Sequence, residues 1–68
     1  MSHPIAENSV TVERKTISGE VHDNNQGRFV ILRETSPSGR YSEIRFPYSG
    51  IHAVATLLNG LASLPENE

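Results

Sequence analysis

The sequence predicts an α+β domain in which a curved, four-stranded antiparallel sheet is followed by one C-terminal helix, a ββββα layout. Three observations point to it. Apolar and polar residues alternate with a period of two from Ser9 to Phe46, the pattern of strands with one covered face. Turn-forming clusters, Asp23-Asn24-Asn25-Gln26-Gly27 and Ser36-Pro37-Ser38-Gly39, cut that stretch into segments. After Pro47 the apolar residues recur at three- and four-residue spacing instead, which is the period of an amphipathic helix.

Residues 1–8 contain Pro4 and show no periodicity, so they read as a flexible arm. Ser9 to Arg14 forms the first strand, with Val10 and Val12 inward. Thr16 to His22 forms the second, with Ile17, Gly19 and Val21 on one face; a glycine inside a strand marks a bulge or a close backbone approach. The Asn/Gln/Gly cluster then turns the chain, its central positions calling for residues that tolerate positive φ. Arg28 to Thr35 is a third strand rich in Phe, Val, Ile and Leu, apolar on both faces. Proline early and glycine late in Ser36–Gly39 suit a β-turn. Arg40 to Phe46 is the fourth strand, with Ser42, Ile44 and Phe46 on one side and Tyr41, Glu43 and Arg45 on the other. Ser49 is placed to cap the helix, whose stripe is Ile51, Val54, Leu57, Leu58 and Leu61, broken late by Gly60 and ended near Leu64-Pro65. The domain thus spans residues 9–64, with an acidic tail at 65–68. One apolar stripe needs a sheet to lie on, which leaves the sheet one covered and one open face.

Size and composition bound the function. At 68 residues the chain folds as one domain with a small core, and domains of this size lean on a staple or a partner. It has no cysteine, so neither disulfides nor thiolate zinc sites supply the staple, and a reducing compartment fits. The N-terminus shows no signal-peptide pattern and no apolar run is long enough to cross a bilayer; a soluble cytoplasmic protein is the expectation. Homodimerisation through Ile51, Val54, Leu57, Leu58 and Leu61 is then the natural source of extra stability. Net charge is −2, but residues 13–45 hold all six basic residues against five of the acids. The middle of the chain is faintly basic and its ends are acidic, which permits a phosphate-bearing partner without requiring one.

The residues that could contact such a partner are Arg14, Lys15, His22, Asn24, Arg28, Phe29, Arg33 and Arg45. Phe29 could stack a base, or pack at a sheet or dimer edge. The guanidinia and Lys15 could hold phosphates, or close cross-strand ion pairs such as Arg33 beside Glu43. Catalytic and metal chemistry is not expected. His22 and Asp23 are adjacent in a strand and so point to opposite faces, and the three histidines, His3, His22 and His52, have no zinc-ligand spacing. Counted from Asp23, a calcium loop would need glycine where Arg28 stands. No nucleophile elbow, phosphate loop or carboxylate pair in a recognisable frame is present.

Val21 and Asn24 followed by Gly27-Arg28-Phe29, with Val10 and Val12 before them and Ile44, Phe46, Gly50 and the leucine-rich helix after them, resemble one PUR repeat across roughly residues 9–63. The resemblance implies two such units interlocked by exchanged helices, here a homodimer, with open sheet faces that bind single-stranded DNA or RNA without a cofactor. It implies contacts at Glu13, Arg14 and Lys15, at His22, Asp23 and Asn24, and at Phe29, Arg33 and Arg45. Family members often carry lysine or glutamine where this chain has His22 and Asp23, a basic residue where it has Ile31, and an aromatic pair where it has Ile17 and Ser18. Each missing cation flattens the salt dependence of binding. The rival expectation is a protein-interaction or structural dimer module on the same fold that has lost nucleic-acid binding. A Whirly-like relative, with the same strand–helix order, is a third.

Overall fold

The computed structural model describes residues 3–63. They form β1 (Ala6–Val12), β2 (Lys15–Asn24), β3 (Gly27–Thr35), β4 (Tyr41–Pro47), a single 3-10 turn at Tyr48–Gly50, and α1 (Ile51–Ala62). The strands make one antiparallel meander in the order β1-β2-β3-β4. The α+β, ββββα architecture expected from the sequence is therefore the observed one. Leu64 and the acidic tail lie outside the described residues, as do Met1 and Ser2 of the arm.

Register separates the two faces. On one side stand Ala6, Asn8, Val10 and Val12 of β1, Ile17, Gly19 and Val21 of β2, Val30 and Leu32 of β3, and Ile44 and Phe46 of β4. The helix lies on this side, where Ile51, Val54, Ala55 and Leu58 flank a groove of about 480 Å³ against the sheet. Glu7, Glu20, His22, Phe29, Ile31, Arg33, Tyr41, Glu43 and Arg45 occupy the opposite, open face. Ile31 is only 6% exposed although no element covers that face; Glu20 and Arg45 stand directly across from it, and the aliphatic stems of such side chains shield apolar neighbours.

Three features differ from the sequence expectation, and at Gly19 the structure decides between its two alternatives. The arm is shorter, because Ala6, Glu7 and Asn8 pair with Val21, Glu20 and Gly19. Gly19 makes no bulge: the β1 and β3 registers run through it unbroken. It permits a close approach instead, since a Cβ there would lie 3.3 Å from Leu32 Cδ2. Positive φ does not fall on the centre of the β2–β3 turn. It falls on Gly27 at 130°, while Asn24 Oδ1 accepts a 2.8 Å hydrogen bond from the Gln26 amide, an Asx turn. Ser49 does not cap α1; the N-cap is Gly50, with no side-chain bond. The Ser36–Gly39 turn forms as expected, closed by Gly39 N–H donating to the Ser36 carbonyl at 3.0 Å.

Little of the chain is buried. Among the described residues only Val30 and Ile31 form a buried apolar core, and Leu57, Leu58 and Leu61 of the helix stripe are 60%, 56% and 58% exposed. Ile51 and Val54 are half-buried, so the expected core stripe holds at its first turn and not beyond. The radius of gyration is 14.1 Å, against about 11 Å for a compact chain of this length.

The β1–β2 turn carries local strain. Val12 pairs with Lys15, and the two residues between, Glu13 and Arg14, sit at φ 50° and 76°, a left-handed conformation that costs a non-glycine residue roughly 1–2 kcal/mol. Hairpin turns of this length prefer Asn-Gly. The double substitution Glu13→Asn, Arg14→Gly should raise the thermal midpoint by several degrees at fixed protein concentration, since about 1 kcal/mol moves a domain of this size by ~4–8 °C. An unchanged or lower midpoint would show that the turn is relaxed.

Candidate nucleic-acid interface

The open face is built from strand parity. Glu20, His22 and Asn24 alternate along β2, Phe29, Ile31 and Arg33 along β3, and Tyr41, Glu43 and Arg45 along β4. Antiparallel register then sets His22 opposite Phe29 and Arg33 opposite Glu43. The imidazole and phenyl rings stack with centroids 5.4 Å apart and planes 15° from parallel. At the other end of β3, the Arg33 guanidinium lies over the Tyr41 ring, 5.3 Å from its centroid. The face therefore has two aromatic stations, Phe29 with His22 and Tyr41 with Arg33. They lie six residues apart along β3, since Tyr41 pairs with Thr35, a spacing of roughly 20 Å.

A chain of charges joins the stations. Glu20 Oε1 is 2.8 Å from His22 Nε2, and Glu20 Oε2 is 3.5 Å from Arg33 Nη1. Arg33 Nε donates to Glu43 Oε1 at 3.0 Å, Nη2 forms an ion pair with the same oxygen at 3.0 Å, and Arg45 Nη2 donates to Glu43 Oε2 at 3.1 Å. Hydrogen bonds from Arg33 and then Arg45 hold the Glu43 carboxyl below the usual glutamate range, and the bond from Glu43 raises the Arg33 guanidinium further. Both arginines expected to grip phosphate are thus already paired with carboxylates.

Beyond Phe29 the face opens into a cleft of about 360 Å³ at the β2–β3 turn, lined by Asn24, Gln26, Gly27, Arg28, Phe29, Arg45, Phe46 and Pro47. Asn24 Oδ1 is committed to the turn, which leaves its amide nitrogen to donate. Arg28 reaches this cleft from the helix side. Its Nε donates to Asp23 Oδ1 at 3.0 Å, the guanidinium lies 5.4 Å from the Tyr48 ring centroid, and the Asp23 bond raises its pKa.

Not every expected contact residue joins this surface. His22, Asn24, Phe29, Arg33 and Arg45 share it. Lys15 is on the helix side of the sheet, paired with Glu34 at 3.2 Å. Arg14 is in the strained β1–β2 turn. Five of the eight thus lie together on the open face with Arg28 at its margin, and Arg14 and Lys15 lie at the β1–β2 end. Tyr41, which parity places with Glu43 and Arg45 but which was not among the expected contact residues, is 63% exposed on the open face. Glu20 and Glu43 are likewise part of the site, as the partners that set its charge.

Neither a protein-family model nor a curated protein matches the chain. Among the described residues no helix is long and apolar enough to cross a membrane.

Because the native state keeps Glu43 ionised to lower pH than the unfolded chain does, its contribution to stability is present above the ordinary glutamate pKa. It is lost as the pH falls through the lowered native value. A urea-midpoint series from neutral to acid pH should fall less steeply at the acid end for Glu43→Gln than for the wild type. Identical acid limbs would show that the Arg33 and Arg45 bonds are not maintained in solution.

Proposed function

We propose that the chain is a homodimeric module that binds single-stranded DNA or RNA across the open face of its sheet. The observation that carries this reading is the pair of aromatic stations on one uncovered face, each beside a hydrogen-bonding group. His22–Phe29 adjoins the Asn24 cleft, and Tyr41 lies under Arg33. Stacking gives roughly 1–3 kcal/mol per base and tolerates any sequence, so such a face holds unpaired bases. Because Arg33 and Arg45 are already paired with Glu20 and Glu43, binding is led by stacking rather than by phosphate charge. Its salt dependence is correspondingly shallow. A soluble, cytoplasmic setting suits such a module.

The same ion pairs favour a second reading, a protein-interaction or structural dimer module whose open face has been neutralised. Anisotropy with labelled single-stranded DNA and RNA oligomers, at low and near-physiological salt, separates the two. Under the first reading binding saturates, Phe29→Ala weakens it roughly tenfold or more, and Arg33→Ala with Arg45→Ala weakens it less. Absence of binding even at low salt would leave the interaction module.

Dimerisation is supported by what the single chain leaves uncovered. Its accessible surface is 5833 Å², whereas a compact monomer of this mass exposes roughly 4,250 Å². The difference, on the order of 10³ Å², is what an obligate homodimer buries on each subunit. The bare residues are Val10, Val12, Ile17 and Ile44 on the sheet and Leu57, Leu58 and Leu61 on the helix, so one chain's helix offers the apolar cover that the other's sheet lacks. If the chain were monomeric, Leu58→Asp would be almost silent, as exposed substitutions change stability by about 0.5 kcal/mol or less. In the proposed dimer it buries a carboxylate without a partner, and sedimentation equilibrium should show dissociation or loss of the folded species. A well-folded dimer carrying Leu58→Asp would rule this interface out.

A further inference from the structure

His22 and Glu20 are among the shielded ionisable groups of the open face, their side chains only 12% and 21% exposed. Resting on the single-strand reading above, we infer that His22 is a proton-linked element of that face, and that single-strand binding takes up a proton there. The reasoning begins with Glu20. One of its oxygens is 2.8 Å from His22 Nε2, and the other is 3.5 Å from Arg33 Nη1. Directly across β1 stands a second carboxylate, Glu7. Like charges placed opposite each other in a sheet repel, so Glu20 needs a counter-ion.

Arg33 now serves in that role, and Arg33 is also the cation beside the Tyr41 station. For Arg33 to turn to a phosphate it must give up carboxylate contacts. Glu43 keeps Arg45 as its partner at 3.1 Å when Arg33 departs. Glu20 keeps only His22. A neutral imidazole leaves Glu20 uncompensated beside Glu7, whereas an imidazolium compensates it and frees Arg33. Histidine is the side chain whose ordinary titration falls between about pH 5 and 8, so this exchange is within physiological reach.

The surroundings of His22 agree on the sign. The open face sets Glu7 on β1, Glu20 on β2 and Glu43 on β4 against Arg33 on β3 and Arg45 on β4. Three carboxylates against two guanidinia leave it with one excess negative charge, which a protonated His22 cancels. A phosphate chain meeting a neutral face is repelled less than one meeting a negative face, and one more cation in the complex steepens the salt slope by about 0.7 for single strands.

The test is anisotropy of the full chain with an oligothymidylate, whose bases do not titrate in this range, carrying a pH-insensitive dye. Titrations at about pH 5.5 and about pH 7.5 bracket the histidine range. The wild type should bind roughly three- to tenfold tighter at the lower pH, with the steeper salt slope there. Calorimetry in two buffers of different ionisation enthalpy, near the middle of the range, should show net proton uptake on binding. His22→Gln keeps a donor for Glu20 but cannot titrate, so its affinity should no longer change between the two pH values and its proton uptake should vanish. Glu20→Gln removes the carboxylate and should give the same loss, which keeps the test alive if His22→Gln fails to fold. His52→Gln, on the helix side, should retain the wild-type pH dependence. Wild-type binding that ignores pH, or pH dependence that survives both His22→Gln and Glu20→Gln, overturns the inference alone. No binding at either pH overturns the single-strand reading and this inference with it.

Discussion

The constraint on which this structure depends is an area mismatch between one helix and one sheet. α1 has 12 residues, so it is roughly 18 Å long and 10 Å wide. The meander has four strands of seven to ten residues, a face of roughly 15–20 Å by 25–30 Å. The helix can cover less than half of that face. It lies over the half that holds Val21, Val30 and Phe46, leaving Val10, Ile17 and Ile44 bare at the other. The leucines that could cover them lie farther along the helix stripe, exposed. Both halves of an apolar interface are thus present on one chain but not in contact, and the proposed dimer is the arrangement in which each would be covered.

The open face follows different physics. Its polar residues alternate with apolar ones by strand parity, and register closes the charged ones into a ladder from His22 to Arg45 through Glu20, Arg33 and Glu43. Such a ladder is solvated and screened, so it adds little to folding. Its effect is on recognition. Carboxylates that occupy guanidinia act as competitors for any incoming phosphate, and they remove the long-range attraction that draws most nucleic-acid-binding proteins to their targets. What the ion pairs do not take up is the two aromatic stations, Phe29 stacked on His22 and Tyr41 under Arg33, and the amide of Asn24. A face of this kind discriminates between stacked and unstacked bases more than between charged and uncharged polymers.

Period and parity carried most of the fold. The face assignments of Ile17, Gly19, Val21, Ile44, Phe46, Glu43 and Arg45 were all legible, because side-chain alternation in a strand is set by the backbone. The Arg33–Glu43 pair was legible for the same reason, once turn lengths fixed the register. What escaped was set by partners rather than by local sequence. Ala6-Glu7-Asn8 has no apolar alternation, and becomes a strand because β2 is long enough to extend its ladder along it. Glu13-Arg14 carries no turn signature, and adopts positive φ because Val12 and Lys15 must pair across it. The shielding of Ile31 on an uncovered face depends on neighbours from two other strands, which no single segment encodes.

The two faces are connected through affinity. A single open face with two stacking stations and no unpaired guanidinium on its ladder offers on the order of 2–6 kcal/mol toward a strand. That corresponds to millimolar binding near the middle of the range, since 4.1 kcal/mol is about 1 mM. Alone it would hold nothing at cellular concentrations. In the proposed dimer two such faces would engage the same strand with the second contact made intramolecularly, which multiplies affinity by roughly 10²–10⁴ without any new interaction. The apolar face therefore does more than stabilise the proposed dimer. Under the proposed function, joining two weak, ion-paired surfaces brings them into a useful range, which makes the exposed leucines of α1 as necessary for binding as Phe29 itself.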